Sequence, residues 1–164
     1  MFVQSPEEAL LALDFEAVEF IQLPFNILDY RWDVVIEKIL QVRQHRPIVI
    51  HARSALLQGL LTTSKMDLWQ EACCSNAAEV VDWLRNKAEI YTNGDVVDLS
   101  LRYVFSQPWI DGVVIGVETK EQLIDNLVRI SSDIWTESVV SRITEDCPRV
   151  PAETLNPAKW RQHD

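Results

Sequence analysis

FIQLPFNILDY (Phe20 to Tyr30), HARSALLQGLL (His51 to Leu61) and VVIGVETKEQLIDNL (Val113 to Leu127) each run from a short apolar stretch into a loop or an amphipathic segment. Apolar runs of that length, closed by turn-forming residues, are the pattern of strands buried in a parallel sheet. Between them the spacing turns helical. Trp32, Val35, Ile36, Ile39, Leu40 and Val42 form a stripe within Asp29 to Arg46, and Val80, Val81, Trp83, Leu84 and Ile90 form another within Asn76 to Tyr91. The first stripe belongs to core packing and not to a site. Alternating strand and helix implies a parallel sheet with crossover helices, so the fold class is α/β. Spacing alone leaves open whether the sheet is open or closed.

The remaining punctuation agrees. Ser5-Pro6-Glu7-Glu8 has the hydroxyl cap, early Pro and acidic first turn of a helix start. Strands are expected at Val18 to Phe25, Ile48 to Ala52 and Val113 to Val117, with a loop containing Gly59 after the second. Asn93-Gly94 stops one helix, Asp95 caps the next as far as about Gln107, and Thr119 to Ile130 forms another. From Ser131, with Pro148, Pro151 and Pro157, an extension of one or two helices is expected to pack over one end of the sheet. The division is therefore 1–130 for the α/β unit and 131–164 for the extension.

Composition narrows the function. The 164 residues are 48% hydrophobic and 24% charged, an ordinary globular balance for one domain. A formal net charge of -10 argues against nucleic acid or an anionic membrane as partner, because both are held by clustered Lys and Arg. No apolar stretch approaches the roughly 20 residues that span a bilayer, and MFVQSPEEALLALDFE lacks the basic start of a secretory signal, so a cytoplasmic protein is expected. Cys73, Cys74 and Cys147 have no metal-ligand spacing and suit a reducing compartment. No metal site is expected.

The segments also resemble, in order and wording, the carboxyl half of the aldo/keto reductase superfamily, nicotinamide-dependent carbonyl reductases built on a TIM (β/α)8 barrel. The likeness runs from about Ser5 to Leu127. SPEEAL is similar to the segment after the family's fifth strand, IQLPFN to its sixth strand, HARSALLQGLL to its seventh, and VVIGVETKEQLIDNL to its eighth with the next helix; NPAKW near the end is also familiar. The resemblance implies a parallel half-barrel, from a stub of the fifth strand to the eighth, with a C-terminal helical extension. A full barrel takes about 250 residues, which implies that roughly the first half is missing.

The family's cofactor residues carry over by position. Gln22 matches the glutamine that hydrogen-bonds the nicotinamide carboxamide, and an amide suits that task because it both donates and accepts. Arg53 stands where many members stack an aromatic ring on the nicotinamide; a guanidinium plane can stack or meet a phosphate. Ser54 and Leu56 match pyrophosphate-contacting positions, with Gln58 and Gly59 just beyond. Gly116, Thr119, Gln122, Asp125 and Asn126 match the segment that binds the adenosine side at a helix start, where free backbone amides favour phosphate. Gln122 replaces a frequent arginine and Asp125 a glutamate, so the implied cofactor is NADP(H) or NAD(H) without a decided preference.

The family's catalytic Asp, Tyr, Lys and His lie on early strands, so no catalytic residue is assigned in this chain. His51 is better explained as a satisfied strand histidine. Two functions are expected as alternatives: part of an NAD(P)H-dependent oxidoreductase for small carbonyl substrates, active when the missing half is supplied; or a non-catalytic half-barrel that binds nucleotide or a protein partner. Exposed strand edges in either case point to the missing half or to self-association.

Overall fold

In the computed structural model, which describes residues 1–131 and 133–160, three strands pair in sequence order: β1 (Phe20–Pro24), β2 (Val49–Arg53) and β3 (Gly112–Val113). All pairings are parallel. Phe20 lies beside Val49, Gln22 beside His51 and Pro24 beside Arg53, while His51 and Ala52 face Gly112 and Val113. A fourth position precedes them: Phe2 bridges Gln22 in parallel, Val3 N donates to Gln22 O at 3.0 Å, and Gln22 N donates to Met1 O at 2.8 Å. Each strand leads to its neighbour in chain order, so the described strands contain no topological reversal.

Alternation gives the sheet two different faces. Ile21, Leu23, Ile50 and Ala52 are fully buried under the helices. Phe20, Gln22, Val49, His51 and Arg53 take the other face, where the first, second, fourth and fifth are half-buried and Val49 is exposed. Each large side chain on the covered face contributes about 1.5–3 kcal/mol through burial, which fixes which way every strand is turned.

Seven helices join and cover the strands among the described residues: α1 (Pro6–Leu13), α2 (Asp33–Arg43), α3 (Met66–Glu71), α4 (Ala77–Thr92), α5 (Val96–Phe105), α6 (Lys120–Ile130) and α7 (Glu137–Glu145). Ser5 Oγ accepts from Glu8 N and begins α1. Asp95 accepts from Asp98 N and begins α5. Asn93, at φ 52°, ends α4 in the left-handed region.

Four local expectations need correction. The helix expected from Asp29 starts at Asp33, because the Asp29 carboxylate caps a 3-10 turn at Tyr30–Trp32. It ends at Arg43, and Arg46 beyond it instead donates to Val18 O, Leu13 O and Phe15 O, tying α1 to the return into β2. The strand expected at Val113 to Val117 shrinks to Gly112–Val113, with Val114 N still reaching Ala52 O at 2.7 Å; no described strand lies on its outer side to continue the ladder. The loop after β2 folds instead into a 3-10 segment, Leu57–Thr62, and α3. Burial of Leu57, Leu60, Leu61 and Trp69 drives this, and Trp69 Nε1 donates to Thr63 O at 3.0 Å.

The extension docks mainly on helices. Tyr103 Oη of α5 pairs with Thr144 Oγ1 at 3.0 Å, Lys87 of α4 with Asp146 at 2.8 Å, and Trp135 N with Ser106 Oγ at 2.9 Å. Near the sheet it meets the loop leaving β1, through Tyr30 Oη to Val150 O and Cys147 Sγ to Ile27 O. Residues 132 and 161–164 of the expected extension lie outside the described residues.

Candidate functional site

The less buried sheet face gathers the polar residues. Gln22 and Arg53 share it with His51, which is the register neighbour of Gln22. The His51 ring meets the edge of Phe20 at a centroid distance of 4.7 Å. On its other side is Gly112, where an added Cβ would come within 2.9 Å of His51 Nε2. Gly112 is therefore the residue that lets the imidazole lie across β3.

Arg53 closes β2 and reaches back to the first segment of the chain. Its Nη2 donates to Gln4 Oε1 at 2.7 Å and to Val3 O at 3.1 Å, and its Nη1 donates to Ser54 Oγ at 3.4 Å. Partial burial lowers the pKa of this guanidinium, which remains charged at any ordinary pH. Sequence reasoning does not single out Gln4. Nothing in its spacing marks it, since it is brought to Arg53 by strand pairing across residues far apart in the chain.

Immediately after Arg53 the backbone turns left-handed. Ser54 has φ 62°, Leu57 47°, Gln58 55° and Gly59 82°. For residues other than glycine this conformation costs roughly 1–2 kcal/mol each, and clusters of such strain are found at ligand clamps and active sites. Ser54 O accepts from Leu57 N at 2.8 Å and Leu56 O from Gly59 N at 2.9 Å, so the loop is held closed by its own turns. Successive amides in turns of this kind form concavities suited to anions.

The third group lies beyond β3. Gly116 has open space where a side chain would project. Thr119 caps α6 by accepting from Gln122 N at 3.1 Å, and Gln122 Oε1 accepts from Glu118 N at 2.8 Å, a near-reciprocal capping arrangement. Gln122 thus has a structural task at the helix start. Asp125 is exposed and Asn126 buried on the same helix. Because β2 and β3 are parallel neighbours, the 54–59 loop and the segment leading to Thr119 both leave the C-terminal end of the sheet. Arg53 touches Ser54 directly and shares a sheet face with Gln22, whose register neighbour is His51; α6 is linked to them through strand adjacency.

The three tyrosines lie apart from this face. Tyr30 donates to Val150 O, Tyr103 is buried against Thr144, and Tyr91 packs on Trp135 with centroids 5.7 Å apart. Burial raises the Tyr103 pKa. A cavity of about 500 Å³ opens between the loop leaving β1, α5 and α7, lined in part by Tyr30, Trp32, Tyr103 and Arg149; none of the nine candidate residues lines it. Among the described residues no group of His, Cys, Asp and Glu is arranged to hold a metal ion, and no helix is long and apolar enough to cross a membrane. The three cysteines are free thiols.

The model of the aldo/keto reductase family matches residues 8–145. No curated protein matches the chain. Among solved structures, it superposes on the aldo-keto reductase AKR11C1 from Bacillus halodurans, in holo and apo forms, with a TM-score of 0.68 and 16% identity, over 88% of this chain and 48% of that one. It also superposes on the glycerol dehydrogenase AKR11B4 from Gluconobacter oxydans with a TM-score of 0.61 and 20% identity, over 92% of this chain and 49% of that one. The likeness is one of fold, and the chain spans about half the length of these structures.

Proposed function

Because this chain belongs to the aldo/keto reductase family, we propose that it is the cofactor-holding half of an NAD(P)H-dependent oxidoreductase acting on carbonyl substrates. Its strands then correspond to the end of the fifth through the eighth of a (β/α)8 barrel, and the catalytic acid and substrate loops belong to a complementary half. The observation that carries this reading is that Arg53 and Ser54 meet at the C-terminal end of a parallel sheet whose same face carries Gln22, with the left-handed run at Leu57, Gln58 and Gly59 directly after them. Ligands of open parallel sheets and barrels sit at that end.

The residues present fit a dinucleotide. The Gln22 amide offers both a donor and an acceptor for a carboxamide, Arg53 and Ser54 with Leu56 form the phosphate side, and the amides at the Thr119-capped start of α6, beside open Gly116, carry positive potential for the adenosine side. Gln122, Asp125 and Asn126 would complete that end. The nicotinamide group supplies the hydride when bound. This chain contributes orientation: a charged plane at Arg53, pinned by Gln4, and a preorganised loop after it.

Carbonyl reduction also needs a proton donor next to the carbonyl oxygen. All three tyrosines are engaged elsewhere, Tyr30 with Val150 O, Tyr103 with Thr144 and Tyr91 with Trp135, which favours a chain that binds nucleotide without turning it over. That second reading, a non-catalytic nucleotide-binding half-barrel, describes the chain by itself. The test is NADPH oxidation, monitored by the loss of reduced-nicotinamide absorbance with a panel of aliphatic and aromatic aldehydes. Binding without oxidation is expected; steady turnover by the purified chain would overturn the division of labour between halves.

A further inference from the structure

The cavity between the loop leaving β1, α5 and α7 lies apart from the proposed cofactor residues. Phe25, which follows β1, turns to the helical side, stacked on Tyr103 with ring centroids 6.2 Å apart and edge-on to Trp109 at 5.0 Å. Gln22 and Arg53 take the opposite face of the sheet. The start of α2 supplies a further wall through Asp33 and Ile36, and neither the Met1–Val3 segment nor β3 borders the space. Its volume of about 500 Å³ falls within the range of small-molecule sites.

Phe25, Trp32, Ile36, Tyr103 and Val140 make much of the lining apolar and aromatic. One buried donor stands among them. Trp32 is fully buried, yet its indole Nε1 has no hydrogen-bond partner. An indole N–H only donates, so what completes it is an acceptor, and a buried donor left unmet is costly. The neighbouring hydroxyls are already engaged, Tyr103 Oη with Thr144 Oγ1 at 3.0 Å and Tyr30 Oη with Val150 O at 3.3 Å.

Charge gathers at the mouth. The Arg149 guanidinium lies over the Tyr30 ring, 4.1 Å from its centroid, and neither Arg149 nor Arg142, which also lines the cavity, forms an ion pair among the described residues. A guanidinium stacked on a ring keeps its N–H edge for a carboxylate. Asp29 does not take that place, because Arg31 holds its carboxylate at 2.7 Å. Asp33 and Glu145 line the same cavity from exposed positions and disfavour a second negative charge on anything bound there.

We infer that this cavity is a ligand site of its own, which takes a small aromatic monocarboxylate. The ring of the ligand lies against the aromatic wall, and its carboxylate meets Arg149 and supplies the acceptor that Trp32 Nε1 lacks. Tyr30, fixed by Val150 O, holds the guanidinium in place beforehand, which lowers the cost of ordering it on binding. The site stands whether or not the chain binds a nucleotide.

Isothermal titration calorimetry on the purified, folded chain tests this with 2-naphthoate and with its neutral amide. One-to-one binding of the acid is expected, at least about tenfold tighter than that of the amide. Arg149→Gln, at an exposed position, should weaken the acid about tenfold and leave the amide as it was. Trp32→Phe, which keeps an aromatic ring and removes the N–H, should weaken the acid several-fold. Arg85→Gln, exposed on α4, should change nothing, and neither should Arg53→Ala on the other face of the sheet. Circular dichroism reports the folding of each variant, and Arg149→Gln decides the matter should the buried Trp32→Phe fail to fold. No saturable binding of the acid, equal binding of acid and amide, or acid binding indifferent to Arg149→Gln would overturn the inference. Loss of acid binding in Arg53→Ala would also overturn it, by moving the ligand to the nucleotide face.

Discussion

Gly112 carries no side chain because His51 leaves no room for one, with Nε2 only 2.9 Å from where a Cβ would stand. Gly112→Ala should cost about 1–3 kcal/mol in urea denaturation, and most of that loss should disappear in a His51→Ala background, a coupling a double-mutant cycle measures directly. Equal losses in both backgrounds would mean the contact is not the cause of the exclusion. Gln58 is exposed at φ 55°, so Gln58→Gly should be neutral or stabilising by up to about 1 kcal/mol and Gln58→Val destabilising by about 1–2 kcal/mol. Cys147 is partly buried and its thiol is pushed up to about 12 from 9.0. The folded state therefore keeps a proton that the unfolded state gives up, and stability from this group is fully present below about pH 9 and lost as pH rises toward 12. Cys147→Ala should flatten that part of the stability profile measured by denaturation at a series of pH values. At this scale the sequence was half legible. Alternation places Gln22, His51 and Arg53 on one face, but the Gln4 to Arg53 hydrogen bond and the strain at Leu57 depend on pairing and packing that no local pattern encodes.

Helix starts were the most readable elements, because a cap acts through its own first turn. Ser5, Asp95 and Thr119 each accept from the amide three residues on. Thr119→Ala should accordingly cost about 0.5–2 kcal/mol, and, if the start of α6 meets the adenosine side, weaken NADPH binding as well; Thr119→Ser should restore both, as titration and melting would show. Strand ends were less readable. Val113 to Val117 is β-branched and apolar enough for a full strand, yet only Gly112 and Val113 enter the ladder, since a strand is completed by its neighbour and the outer neighbour is absent among the described residues. The segment after Gly59 was hidden for a related reason: its turns are fixed by burying Leu60, Leu61 and Trp69, which is a tertiary effect.

For the molecule as a whole, the parallel order and the family were legible, because several strand-and-loop motifs occur in one sequence and a family model spans residues 8–145. The surface was not: the apolar stripe on α6 looks in sequence like ordinary core packing, and only the fold leaves Leu127 and Val128 facing outward. Nucleotide binding by the folded chain is the property on which its proposed role depends most. Fluorescence titration of NADPH into the purified, folded protein tests that claim most directly, run alongside Arg53→Ala and Arg53→Lys. Saturable binding is predicted, weakened about tenfold or more by either substitution because a lysine cannot reproduce the guanidinium plane. A folded chain that leaves NADPH fluorescence unchanged across the titration would contradict it.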